Sequence, residues 1–150
     1  MQVFVYPDPY MRRILREVKT IAVVGASANL ERPSFRVMHY LQSNGYRVLP
    51  VNPGLAGDTI LGERVYRALN EIPEPFDMVD IFRTSGAVPA IVENAIALAP
   101  DKGISVIWMQ LGVFDIGAAE RAKTAGFDVI MNRCPKFEHQ RLIGGSLTAG

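Results

Sequence analysis

Cysteine is nearly absent from this sequence: Cys134 is the single cysteine among 150 residues, and there are two histidines. One cysteine excludes an internal disulfide and a zinc site built from several cysteines. Two histidines with that one cysteine make a poor ligand set for a metal ion, so the sequence predicts no metal site.

The sequence also lacks an excess of charge of either sign. Sixteen Lys and Arg residues against fifteen Asp and Glu residues give a formal net charge of +1. No overall field would therefore attract nucleic acid or an anionic membrane, and neither is expected as a partner. A cluster of cations at one site remains compatible with this neutral total.

Long apolar runs are missing as well. Runs such as Ile21–Val24 and Ile104–Met109 are far shorter than the roughly 20 residues that a membrane-spanning helix needs. The segment from Met1 to Tyr10 does not show the basic and then apolar pattern of a signal peptide. The reducing cytoplasm is therefore the expected compartment.

The composition that is present is that of a globular protein, with 49% hydrophobic and 21% charged residues. A chain of this length favours one domain over residues 1–150. We expect an N-terminal arm and helix within residues 1–19, because Asp8 suits an N-cap, Pro9 suits the first helical turn, and apolar residues follow from Met11 to Val18 at helical spacing. The small, polar stretch 144–150 predicts a flexible tail.

After residue 19, short apolar runs alternate with segments of helical periodicity. Strands are predicted over Thr20–Val24, Tyr46–Val51, Met78–Phe82, Ile104–Met109 and Asp128–Met131, and helices over Ser34–Asn44, Val88–Leu98 and Ala118–Ala125. The connection from Gly54 to Pro75 is irregular, with a short helical turn expected over residues 65–69. The predicted fold class is α/β: a single Rossmann-like domain with an open parallel sheet of about five strands and helices on both faces.

In a sheet of this kind, a ligand lies beyond the carboxyl ends of the strands, near the switch in strand order. The residues that follow the five predicted strands are small, polar or cationic. They are Gly25-Ala26-Ser27, Asn52-Pro53-Gly54, Arg83-Thr84-Ser85, Gln110-Leu111-Gly112 and Asn132-Arg133-Cys134-Pro135. These groups suit a binding site better than a core.

The loop after the first strand has two interpretations. Gly25 permits a sharp turn, and the helix start near Ser34 offers free N–H groups to a phosphate. In a phosphate loop, Ser27, Ser34 and Arg32 or Arg36 would be further ligands. The loop lacks the glycine spacing of a dinucleotide fingerprint, however, and contains no Gly-Lys-Ser/Thr of a P-loop. From the pattern alone, a phosphate loop and an ordinary strand-to-helix loop remain equally open.

The end of the second strand weighs against a classical NAD site. NAD enzymes usually place an acid there to bind the ribose hydroxyls, whereas this sequence has Asn52-Pro53-Gly54. Arg47 gives weak support to a site for the extra phosphate of NADP. A small NAD(P)-linked oxidoreductase therefore stays an alternative and is disfavoured.

Seven motifs taken together resemble a known family, the small free-standing bacterial coenzyme A-binding proteins. Their domain is related to the coenzyme A-binding domain of the succinyl-CoA synthetase α subunit. The resemblance extends from about Val18 to Leu142. It is carried by Ile21–Ser27, Glu31–Ser34, Val51–Pro53, Ile72–Pro75, Asp80–Arg83, Trp108–Gly112 and Arg133–His139.

The resemblance implies a Rossmann-like domain that binds coenzyme A or an acyl-CoA, with no established reaction of its own. It implies phosphate contacts at the first loop and helix start, the adenosine near the second strand, and a pantetheine path along the third and fourth strands. The implied site residues are Gly25, Ala26, Ser27, Arg32, Pro33, Ser34, Asn52, Pro53, Phe82, Arg83, Gln110, Leu111 and Gly112. The synthetase has a lysine in the loop after the second strand, whereas this sequence has Gly54-Leu55.

Cys134 joins this candidate set because it follows the fifth strand at the ligand edge. Three roles are open: a structural residue, a thiol that exchanges with the coenzyme, or a nucleophile assisted by His139. No complete catalytic constellation is found, so a non-enzymatic binding protein is the leading hypothesis. An interaction module with a vestigial nucleotide pocket is a further alternative, and a homodimer or a partner acyl-CoA enzyme is compatible with the apolar surface of the N-terminal arm and the sheet edges.

Overall fold

The computed structural model describes residues 4–144. In chain order the helices are α1 (Asp8–Glu17), α2 (Pro33–Ser43), α3 (Val88–Lys102), α4 (Ile116–Thr124) and α5 (Pro135–Leu142). The strands are β1 (Thr20–Val24), β2 (Arg47–Val51), β3 (Thr59–Ile60), β4 (Glu63–Arg64), β5 (Met78–Ile81), β6 (Val106–Met109) and β7 (Asp128–Ile130).

Five strands form one parallel sheet in the order β2-β1-β5-β6-β7. The chain moves outward from β1 to β2 on one side and then returns to add β5, β6 and β7 on the other. The switch in strand order therefore falls between β1 and β5, where Val24 is paired with Ile81. The predicted fold class is confirmed: this is a single α/β Rossmann-like domain.

Helices cover both faces of this sheet because its strands are apolar on both sides. Helices α3 and α4 bury Val88, Val92 and four alanines against one face. Helices α1, α2 and α5 cover the other face, where Met11, Met38 and Trp108 belong to the second core cluster. Parallel strands with both faces buried read as continuous apolar runs, which is the pattern that the sequence shows.

Both edges of the sheet are occupied by other parts of the chain. Along β7, the Tyr10 hydroxyl accepts the N–H of Val129 at 3.3 Å, and the Tyr6 hydroxyl accepts the N–H of Met131 at 2.8 Å. Along β2, Tyr66 forms a parallel bridge with Val51. The N-terminal arm that the sequence offered as a dimer surface thus covers an edge of its own sheet, which satisfies N–H groups that would otherwise invite a further strand.

The main elements lie within a few residues of their predicted bounds, and the structure differs from the prediction in four local features. Asp8 lies in the first turn of α1 behind the N-cap Pro7. Helix α3 continues through Pro100 to Lys102, four residues beyond the predicted end at Leu98. Residues 65–66 are extended, because their backbone pairs beside β2, and the short helical turn of this connection lies later, at Leu69–Glu71.

The fourth difference concerns two elements that the sequence analysis missed. A two-residue hairpin, β3 with β4, lies in the Gly54–Pro75 connection, and a full helix, α5, follows β7. The hairpin strands are too short to give a periodic pattern. The charged and aromatic residues of α5 concealed its helical spacing.

The predicted tail over 144–150 lies outside the described residues except for Gly144. No helix within residues 4–144 is long and apolar enough to cross a membrane.

Candidate functional site

Two cavities open at the carboxyl edge of the sheet, on either side of the switch in strand order. The first cavity, of about 510 Å³, lies between the ends of β1 and β2 and helix α3. The second cavity, of about 850 Å³, lies between the start of α2, the ends of β5 and β6, and the start of α5. Arg83 lines both cavities. The two spaces therefore meet at this side chain.

Gly25 creates the room at this junction. A Cβ atom at this position would collide with the backbone carbonyl of Phe82 and would lie 3.2 Å from Cδ of Arg83. Its φ of +91° is also a conformation that L-residues with a side chain rarely adopt. The bare glycine thus lets β1 turn sharply and lets the aliphatic stem of Arg83 pass across it.

The amides of the first loop are used differently from what the sequence suggested. The N–H groups of Gly25 and Ala26 both donate to the Val51 carbonyl, at 3.0 and 3.2 Å. The Ser27 hydroxyl accepts the N–H of Asn29 at 3.0 Å. These contacts hold the loop in shape, so the contribution of Gly25 to a site is the space that it leaves.

The predicted site residues divide into two groups. Those that line a cavity are Gly25, Pro33, Asn52, Pro53, Phe82, Arg83, Gln110, Leu111 and Cys134. Those that line neither of the two cavities are Ala26, Ser27, Arg32, Ser34 and Gly112. Ala26 and Ser34 are buried, Arg32 is the N-cap of α2, and the N–H of Gly112 donates to Oδ1 of Asn132 at 2.7 Å.

Asn52 organises the floor of the first cavity. Its Nδ2 donates to the Ala26 carbonyl at 2.8 Å, and its Oδ1 accepts the N–H of Gly54 at 2.9 Å. This side chain ties the end of β2 to the loop after β1. Arg47, considered as a contact for an NADP phosphate, instead pairs with Glu74 at 2.6 Å and Glu63 at 3.4 Å.

Three further cations line the cavities, and two of them, Arg67 and Lys136, were not predicted from the sequence. Arg67 lines the first cavity, whereas Arg36 and Lys136 line the second. With Arg83 they make four cations, and no Asp or Glu is among the described residues that line either cavity. None of the four has an acidic partner within residues 4–144. In a chain whose net charge is +1, this concentration of positive charge is local and would favour an anion.

Arg36 was signalled by its place near the predicted helix start. Arg67 and Lys136 gave a weaker signal. Arg67 lies in the irregular connection after β2, and Lys136 lies in the first turn of α5, the helix that the sequence analysis missed.

The inner end of the second cavity holds a small buried polar group. Cys134 is 3% exposed and Gln110 is 7% exposed. Behind them Asp80 is completely buried, and neither of its carboxylate oxygens has a hydrogen-bond partner within the described residues. Burial therefore raises the pKa of Asp80 well above its ordinary value. This carboxyl group, which the sequence did not single out as a site residue, keeps its proton to a higher pH than an exposed aspartate does.

The environment of Cys134 makes it a poor nucleophile. Burial raises the pKa of its thiol, and a hydrogen bond from the Gln110 side chain and the backbone N–H of Phe137 only partly oppose this effect. The nearby Asp80 adds to the rise. A thiol with a raised pKa carries little thiolate, and the thiolate is the reactive form.

His139 does not act as a base beside this thiol. Its Nδ1 lies 2.8 Å from the hydroxyl of Tyr40, and its ring contacts Tyr40 and Tyr46 edge-on. Burial lowers the pKa of His139. The histidine therefore serves the packing of α5 against α2, and the pairing with Cys134 that the sequence left open is not formed.

The family can be assigned from comparison with known proteins. A model described as the CoA binding domain matches residues 19–140, which include all five strands of the sheet. The chain belongs to this CoA-binding domain family. The match contains every cavity-lining residue named above.

Members of the CoA-binding domain family include proteins of very different length. The chain is 36% identical over 129 residues to the protein YneT of Bacillus subtilis, described as uncharacterized, with 86% of this chain and 91% of YneT covered. It is 36% identical over 104 residues to the ADP-forming acetate–CoA ligase II of Archaeoglobus fulgidus. That match covers 67% of this chain and 14% of the ligase. The activity of the whole ligase is therefore not carried over.

Among solved structures, a hypothetical protein from Pyrococcus horikoshii is similar to this chain over its whole length. It has a TM-score of 0.86 and 36% sequence identity, and the match covers 96% of this chain and all of that one. The part of the chain that matches the CoA-binding domain family therefore includes the switch in strand order and both cavities that meet there.

Proposed function

We propose that this protein binds coenzyme A or an acyl-CoA and has no catalytic reaction of its own. The observation that carries the proposal is the position of Arg83 at the junction of two cavities whose charged lining residues are all cations. Coenzyme A is a long ligand that carries a pyrophosphate and a 3′-phosphate at one end and an uncharged pantetheine arm at the other. Such a ligand needs several cations in one region and a less polar channel beyond them.

The two cavities share Arg83 and differ in their other lining residues. The first cavity also has Asn52 and Arg67 and suits the nucleotide. The second cavity has apolar walls that include Val37, Leu111 and Val113 and suits the pantetheine arm, while Arg36 and Lys136 on the same lining supply further cations for the phosphates. Arg83 between them would contact the pyrophosphate, and a charge-assisted contact of this kind contributes roughly 1.5–3 kcal/mol.

The chemistry of the buried groups supports binding without catalysis. Cys134 is a buried thiol with a raised pKa, and His139 is held by Tyr40. Asp80 is enclosed in the core. No nucleophile with an adjacent base is therefore found among the described residues at the cavities, as nucleophilic catalysis would require.

Isothermal titration of the reduced protein tests this function. Coenzyme A is expected to bind saturably, dephospho-coenzyme A more weakly because one phosphate is missing, and NAD not at all. Binding of NAD in preference to coenzyme A would contradict the proposal and favour the oxidoreductase. No heat with any of the three ligands would favour an interaction module.

A further inference from the structure

The second cavity is the larger of the two, although it takes the thinner half of the ligand. Its volume is about 850 Å³, against about 510 Å³ for the first cavity. The nucleotide half of coenzyme A is built from a base, a sugar and phosphates, whereas the pantetheine arm is a single flexible chain. An arm that runs through the second cavity would therefore leave part of it unfilled, and a further group of the ligand has room beside it.

The walls of the second cavity are more apolar than the arm requires. Pantetheine carries amide and hydroxyl groups, which lose free energy when they leave water for an apolar surface without a partner. The uncharged polar residues on the described lining are Thr84, Gln110 and Cys134. The apolar ones are twice as many: Pro33, Val37, Phe82, Leu111, Val113 and Phe137. Such a lining fits a hydrocarbon group better than it fits the arm alone.

Phe137 is the most exposed of these apolar side chains. It is 53% exposed, and an aromatic ring left open to water at a cavity wall is typical of a surface that a ligand covers. Its backbone is fixed, because the N–H of Phe137 is directed to the Cys134 thiol and the N–H of Glu138 donates to the Cys134 carbonyl at 3.0 Å. Val37, on α2, lies on the same lining. The family resemblance assigned no role to either Val37 or Phe137.

The groups near this wall would leave a thioester intact. A thioester is attacked by a thiolate, and the buried thiol of Cys134 forms little thiolate because its pKa is raised. His139, the residue that could have assisted it, is held by the hydroxyl of Tyr40 at 2.8 Å. An acyl group bound in the second cavity would therefore stay on the coenzyme.

We propose that the preferred ligand is a coenzyme A thioester of an apolar acyl group, whose hydrocarbon chain packs against Phe137 and Val37 in the second cavity. This inference rests on the proposed function and deepens it, because it selects the thioester over free coenzyme A. Each methylene group that the wall removes from water adds to the affinity. The affinity should therefore rise with the length of the acyl chain.

The test is isothermal titration of the reduced protein with free coenzyme A, acetyl-CoA, butyryl-CoA and hexanoyl-CoA. The affinity of the wild type should rise about two- to fourfold for each added methylene group, the range from partial to complete burial. The quantity compared between variants is the ratio of the hexanoyl-CoA affinity to the acetyl-CoA affinity, because an effect on the shared coenzyme part cancels in it. Phe137→Ala should lower this ratio by about threefold or more, since the chain loses one of its walls.

Ile116→Ala is the matched control. Ile116 is an exposed apolar residue at the start of α4 and lines neither cavity, so its replacement should leave the ratio unchanged. Equal affinities of the wild type for free coenzyme A and all three thioesters would overturn the inference and leave the proposed function standing. A wild-type ratio in Phe137→Ala would overturn the placement of the chain. Failure of the wild type to bind coenzyme A or any thioester would overturn the proposed function itself.

A second measurement needs no variant. In the isotope-labelled wild type, the terminal methyl group of bound hexanoyl-CoA should give nuclear Overhauser effects to the ring protons of Phe137 and the methyl groups of Val37. Effects to other residues alone would contradict the proposed wall.

Discussion

A Cβ atom placed on Gly25 would lie 2.3 Å from the carbonyl oxygen of Phe82. The two residues follow β1 and β5, the neighbouring strands between which the strand order switches. Their close approach brings the ends of the two strands together and carries Arg83, the next residue, to the junction of both cavities. Any side chain at Gly25 must separate them.

Gly25→Ala should therefore destabilise the protein by about 2–5 kcal/mol, because a left-handed backbone and a steric collision add together. Gly45→Ala is the matched control. Gly45 has a φ of +93° but nothing within 4 Å of an added Cβ, so only the backbone strain of about 1–2 kcal/mol applies. Urea denaturation of both variants measures the difference. Equal losses would show that the contact with Phe82 is relieved at no cost.

Arg83→Ala should weaken the binding of coenzyme A by about tenfold or more, since one charge-assisted contact is lost. The affinity of Arg83→Lys for coenzyme A should lie between those of Arg83→Ala and the wild type, because a lysine keeps the charge but not the planar fork of donors. Arg121→Ala removes an exposed arginine that pairs with Glu93 away from the cavities and should leave the affinity unchanged. Isothermal titration measures all three, and wild-type affinity in Arg83→Ala would remove Arg83 from the site.

Asp80 should make the protein less stable as the pH rises. An unfolded aspartate loses its proton near pH 4, whereas burial raises the pKa of Asp80 in the folded state. Between these two pKa values the folded state binds more protons than the unfolded state. The contribution of Asp80 to the free energy of unfolding therefore falls with increasing pH, by about 1.4 kcal/mol per pH unit.

Asp80→Asn should remove this contribution, so the variant should exceed the wild type in stability at pH 8 and lose that advantage below about pH 4. Urea denaturation between pH 4 and pH 8 measures it. Asp101→Asn, at a side chain that is 81% exposed, should keep the wild-type dependence. An unaltered pH dependence in Asp80→Asn would show that the buried carboxyl group is not the cause.

Cys134 should not exchange with a disulfide of coenzyme A while the protein is folded. The thiol is buried and its raised pKa leaves little thiolate to attack. Mass spectrometry should find no adduct on the native protein after a time in which the urea-unfolded protein is fully modified. Cys134→Ala should bind coenzyme A within about twofold of the wild type. A stoichiometric adduct on the native protein would restore thiol exchange as a function.

Much of the fold follows from local patterns. The five sheet strands are short β-branched and apolar runs bounded by turns, so the local sequence pattern alone was enough to predict where they lie in the chain. Helix α5 could not, because its buried residues include Pro135 and His139, which carry no apolar periodicity. The β3–β4 hairpin could not be predicted either, because a strand of two residues is too short to show a hydrophobic alternation. Contacts between β4 and β2 hold the hairpin in place.

Most of the predicted residues that line a cavity follow directly on a strand, and Pro33 at the start of α2 is the exception. Gly25, Asn52, Arg83 and Gln110 could be found in this way, since parallel strands end at one edge. Arg67 and Lys136 come to the same cavities from an irregular connection and from a missed helix. Their neighbours in space are far from them in the chain.

The sequence by itself determined the fold class, the edge at which a ligand would lie, and the resemblance to the CoA-binding family, because each of these depends on runs of adjacent residues. Only the tertiary structure decided which groups are already used. It directs the N–H groups of Gly25 and Ala26 to Val51, encloses Asp80, and leaves the ring of Phe137 exposed on a cavity wall. Burial and hydrogen-bond partners are set by segments that meet only after folding, and these determine the charge and reactivity of each group.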